Sequence, residues 1–192
     1  MLKGNLSEMT SELPYLVFGL LICAFAGAVI ANWRSMLTQR QRDWRDLVAG
    51  LSPVDVGGMS AVAMDYLTPR RGQIDLEPEK IWEFLGGYEG LKKMRENAEI
   101  MLALAAYAQR WNFEEAVIVT ERMRSDAVVL RRAVRHVELG MIPIGFLRRF
   151  RFTLPLHAQE ASSAYYLMRQ RLLSLYETSH AGLYPALAVS LG

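Results

Sequence analysis

Cysteine is almost absent from the chain: Cys23 is the only one in 192 residues. A lone thiol excludes a disulfide framework and any Cys-cluster zinc or iron–sulfur centre, because each needs several sulfurs brought together. Lysine is scarce too, with Lys3, Lys80, Lys92 and Lys93 against a total of 22 basic residues, so the basic charge is almost all Arg. No convincing strand run occurs, which leaves helical spacing as the ordering signal and predicts an all-α fold. Neither a G-x-S-x-G elbow nor a Walker loop is present, and those absences remove two common routes to nucleophilic and phosphate chemistry.

What the chain does have is a long uncharged stretch. Leu13 to Ala31 is a run of 19 residues without a charge or an amide, and at ~1.5 Å per residue it would reach roughly 28 Å as a helix, close to a bilayer's ~30 Å hydrocarbon core. Residues 13–32 are therefore expected to form a transmembrane helix. Only Lys3 precedes it, against Glu8 and Glu12, unlike the basic leader of a cleaved signal peptide, so an uncleaved anchor is expected. Arg34, Arg40, Arg42 and Arg45 follow it. By the positive-inside rule that flank stays cytoplasmic, with residues 1–12 as a short outer segment of a single-pass protein in the cell (inner) membrane. Within the run, Gly19, Cys23, Gly27 and Ala31 recur every fourth residue and form a small-residue face suited to packing on another membrane helix.

Beyond the span, Trp33, Leu37, Trp44, Leu47, Val48 and Leu51 keep helical spacing, and the anchor helix is expected to run on to about Ala49. Residues 33–76 then read as this juxtamembrane helix plus a Pro- and Gly-punctuated connector holding a short helix. Residues 77–192 read as a cytoplasmic helical domain. Pro78 suits the first position of a helix. Gly86, Gly87 and Gly90 match no nucleotide fingerprint and point to a helix break or close packing.

From there the pattern is regular. Leu91, Met94, Ala98, Met101, Ala105 and Ala108 follow heptad spacing, and Ala116, Val119, Met123, Ala127, Leu130, Val134 and Val137 continue it after a capping-box-like Asn112 and Glu115. Gly140 is expected to end the second helix. The turn from Arg110 to Asn112 should fold the two into a long antiparallel αα-hairpin. Residues 72–121 carry a net −5 and residues 122–151 a net +6, so an acidic arm would lie beside a basic one. A third helix is expected over Leu156 to Tyr176, and the uncharged tail 181–192 is expected to pack on something.

The segment LALAAYAQRWNFEEA resembles the turn between the two helices of a tetratricopeptide unit, through Ala106, Tyr107, Asn112, Phe113, Glu114, Glu115 and Ala116. It covers fifteen residues, and no second copy lies one 34-residue period away. The resemblance implies an αα-hairpin and nothing about a peptide groove.

Candidate chemistry is thin. Glu177 and His180 form one E-x-x-H, where a di-iron bundle needs two together with two further Glu, so a helix-end salt bridge or cap is expected there. His136, His157 and the Ser162–Ser163 pair show no convergent constellation, and the expectation is a non-enzymatic protein without metal or cofactor. The strongest polar feature is the Arg block. Arg124, Arg131 and Arg135 fall on one stripe beside the seam, Arg132 lies on the outer face, and Arg148, Arg149 and Arg151 follow. These residues are the candidates for binding an anionic lipid surface or an acidic partner; no nucleic-acid module is readable. The sequence thus points to an accessory or scaffold subunit of a membrane assembly, partnered by other membrane subunits or by copies of itself. A membrane-tethered regulatory adaptor is the alternative.

Overall fold

The computed structural model describes residues 43–68, 76–141 and 154–192. The chain divides into two units, residues 1–42 and 43–192, and the described residues all belong to the second. The expected span with Gly19, Cys23, Gly27 and Ala31, and the basic residues Arg148, Arg149 and Arg151, lie outside the described residues. Among those described, no helix is long and apolar enough to cross a membrane.

The unit is all-α. Its helices are α1 (Trp44–Ala49), α2 (Val56–Leu67), α3 (Pro78–Leu85), α4 (Gly87–Ala108), α5 (Phe113–Met141), α6 (Leu154–Ser179) and α7 (Tyr184–Ser190). The continuous helix expected to reach Ala49 does not pass through Asp43, which is extended (φ −67°, ψ 152°) and accepts the Trp44 N–H on its carboxylate. A short acidic side chain there takes a main-chain donor of the first turn and starts α1. Asp55 caps α2 by accepting the Gly58 N–H three residues on.

Gly86 and Gly87 both have positive φ, 67° and 69°. Two such residues in succession let α4 follow α3 with Gly86 alone between them, in a backbone conformation that L side chains resist. A Cβ on Gly90 would fall 1.6 Å from the Leu85 carbonyl oxygen, so the third glycine permits close backbone approach.

α4 and α5 form the antiparallel hairpin. Arg95 pairs with Glu138 near one end and Glu99 with Arg131 further along, while the six expected α4 seam residues, Leu91 to Ala108, are all buried. On α5 the expected seam is buried except at Val119, which is half-buried; Thr120 is buried in its place. Its hydroxyl donates to the Ala116 carbonyl at 2.6 Å, which satisfies the polar group within its own helix. At the turn, Asn112 accepts the Glu115 N–H at 3.4 Å, and the Glu115 carboxylate accepts from the Asn112 side-chain amide. The usual capping-box donor, the Asn112 main-chain N–H, is already held by Ala108 O. Gly140 does not end α5. The helix runs on to Met141, and a Cβ on Gly140 would meet the Leu154 side chain at 2.4 Å, so the residue serves packing against α6.

α6 runs antiparallel to α5, with Arg132 opposite Glu160 and Asp126 opposite Arg171. It is the central helix, touching α2, α3, α4, α5 and α7. Its small residues Ala158, Ala161, Ser162, Ser163 and Ala164 are buried on several sides, which is what lets so many helices reach it. The tail closes the unit: α7 returns onto α6, Leu187 and Leu191 are buried, and Arg169 Nε donates to the Leu191 carbonyl at 2.8 Å.

Residues 43–67, read as helix and connector, contribute Trp44, Leu47, Met59 and Val62 to the same core. Polar contacts hold them there. The Asn97 side chain accepts the Ser52 N–H at 2.9 Å and donates to the Ser52 carbonyl at 2.8 Å and to the Tyr165 hydroxyl at 3.1 Å. Trp44 Nε1 donates to the Tyr176 hydroxyl, which in turn donates to the Leu104 carbonyl. Burial raises the pKa of both Tyr165 and Tyr176, so both hydroxyls stay neutral, Tyr165 accepting from Asn97 and Tyr176 donating to Leu104.

Candidate interaction surface

α5 lies against α4 on one side and α6 on the other, and no other described helix touches it. Its remaining face is exposed, and four of the seven expected Arg candidates lie on it or at its borders.

Arg131 and Arg132 are adjacent in sequence, about 100° apart around a helix, and they turn to opposite neighbours. Arg131 Nη1 pairs with Glu99 of α4 at 3.1 Å, and Arg132 Nη2 pairs with Glu160 of α6 at 2.9 Å. Arg124 is bound within α5 to Glu121 at 2.7 Å. Arg135 is exposed and lies near Glu138. That carboxyl is held below its usual range, first by the Tyr88 hydroxyl donating at 2.8 Å, then by Arg95 and Arg135. The same bond raises the Tyr88 hydroxyl. The Arg stripe is therefore divided: Arg131 and Arg132 tie α5 to both neighbours, and Arg124 and Arg135 remain on the outer face.

Apolar side chains share that face. Val117, Ile118, Val128 and Leu139 are exposed, as are Trp111 and Phe113 at the hairpin turn. The heptad spacing does not single them out, because it reports only the buried phase of the helix. The signal that could have found them is a second, weaker apolar register on the opposite side.

The other candidates are accounted for locally. His180 packs its ring on Trp111 at a centroid distance of 4.6 Å, while Glu177 is exposed. His136 and His157 face each other across α5 and α6 with centroids 4.6 Å apart, and Glu160 beside them is shared by His157 and Arg132. Ser162 donates to the Met59 carbonyl and Ser163 to the Glu160 carbonyl. Among the described residues no group of three or more His, Cys, Asp or Glu is placed to hold a metal ion.

Comparison with protein-family models, curated proteins and solved structures finds no match to this chain.

Proposed function

We propose that the chain is a single-span, membrane-anchored accessory or scaffold subunit of a membrane protein assembly, without enzymatic activity of its own. The observation that carries this reading is the 19-residue uncharged run at Leu13 to Ala31 followed by an Arg-rich flank. It supports an anchor with its N-terminus outside and the helical unit in the cytoplasm. The small-residue face of Gly19, Cys23, Gly27 and Ala31 supports a membrane-helix partner. An exposed α5 face of mixed apolar and Arg character is what a docking subunit presents. Arg148, Arg149 and Arg151 are the candidates for an anionic surface, lipid or protein.

The regulatory alternative needs a helix that carries a change unbroken from the span to Ala49. The extended Asp43 interrupts that route. Purification of the full chain in mild detergent tests the leading reading. A different membrane polypeptide should co-purify in constant ratio; recovery of this chain alone, as monomer or homodimer, would refute the accessory role.

A further inference from the structure

Three of the exposed apolar residues of α5 are regularly placed. Val117, Val128 and Leu139 are separated by eleven residues each, three helical turns at 3.67 residues per turn, so they line up nearly parallel to the helix axis. They are 38%, 55% and 43% exposed respectively. Four of the eight charged residues between them keep the same interval, with Glu121 matched by Arg132 and Arg124 by Arg135. A two-fold axis through Val128, perpendicular to the helix, maps this stripe onto itself. Val117 and Leu139 lie equally far on either side of Val128, and so do Glu121 and Arg135.

We propose that the outer face of α5 is a self-association seam, on which a second copy of this chain docks its own α5 antiparallel. Val128 meets Val128 on the axis, each Val117 meets the other copy's Leu139, and each Glu121 meets the other copy's Arg135. The seam spans about 33 Å at ~1.5 Å per residue. Charge complementarity selects this occupant: a parallel pairing would set Glu121 against Glu121 and Arg135 against Arg135, whereas the antiparallel register makes both contacts attractive, twice by symmetry. Arg124 and Arg132 are also equidistant from Val128, but they stand on opposite flanks of the stripe. Each has a carboxylate in its own chain, Glu121 and Glu160, and in the dimer the Glu121 carboxylate is shared between Arg124 and the other copy's Arg135. An anionic membrane would favour Arg without Glu121 on this face, and so fits it less well. The seam belongs to the helical unit and stands whether or not the chain joins a larger assembly.

Cross-linking of the full chain in mild detergent, with Cys23→Ser removing the native thiol, tests the register. Val128→Cys should oxidise to a disulfide-linked homodimer, because only a residue on the axis meets its own copy within the ~4.4–6.8 Å Cα separation a disulfide allows. Glu121→Cys and Arg135→Cys chains should cross-link when mixed and neither with itself. Glu121→Arg should weaken the dimer about tenfold, and the added Arg135→Glu should restore it. The proposal is overturned if Val128→Cys stays monomeric under oxidation while melting like its parent. It is equally overturned if the thiol links to a different polypeptide, or if the dimer is indifferent to the charge reversal.

Discussion

Two regions of the helical unit share one apolar core but differ in how much polar bonding holds them to it. The α4–α5 hairpin closes on an apolar seam, with its charges at the rim: Arg131 and Glu99 are half-exposed, and Arg95 and Glu138 are about one third exposed. The segment from Trp44 to Leu67 adds to its buried Trp44, Leu47, Met59 and Val62 a set of buried and half-buried polar bonds with Asn97, Tyr176, Ser162 and Gln159. The seam draws its stability from area removed from water and tolerates loss of a rim charge. The polar attachment is selective rather than strong, since a buried group deprived of its partner is costly in any other register.

The comparison can be broken at several points. Leu130→Ala removes a fully buried seam side chain and should destabilise the purified unit 43–192 by about 2–5 kcal/mol in denaturant unfolding. Asn97→Ala should come next, at about 1–3 kcal/mol, since it orphans the Ser52 main-chain groups. It should also raise hydrogen exchange in residues 51–56 more than in α5, which a loss of seam packing would not do. Rim charges should rank last. Arg131→Ala and Arg132→Ala should each stay within about 0.5–1 kcal/mol. If either exceeds Leu130→Ala, ion pairs rather than the seam hold the hairpin.

Acid should sharpen the same contrast. The Glu138 carboxyl is lowered from 4.5 in the folded state, chiefly by the Tyr88 hydrogen bond. Its contribution is therefore complete above the unfolded value and fades as pH falls through the folded one. Unfolding measured from pH 6 down should show a decline below about pH 4.5 that is shallower in Glu138→Gln. Equal slopes would mean that this carboxylate contributes nothing to folding.

The seam was legible in the sequence because close-packed helices must repeat their apolar residues every three or four positions, and Leu91, Met94, Ala98 and Met101 do so without exception. The polar attachment was not. Asn97 in a helix reads as a solvent-facing residue until Ser52, far away in sequence, is brought beside it. The expected seam has Val119 where Thr120 is buried, because a hydroxyl reads as solvent-facing until its bond to the Ala116 carbonyl lets it enter the core. Gly140 was read as a stop because helix ends and close helix crossings both select glycine; only the approach of Leu154 separates them. The Arg stripe was visible as a concentration of charge, but its division between α4 and α6 depends on where Glu99 and Glu160 lie in space.

The central claim, that this helical unit is held at a membrane by residues 13–32, is tested most directly by proteolysis of sealed inside-out vesicles after an alkaline wash. The account predicts that the chain stays with the vesicles through the wash, and that added protease then removes the helical unit and leaves an N-terminal fragment in the bilayer. Release of the intact chain by the wash, or full protection of residues 43–192 from the protease, would contradict it.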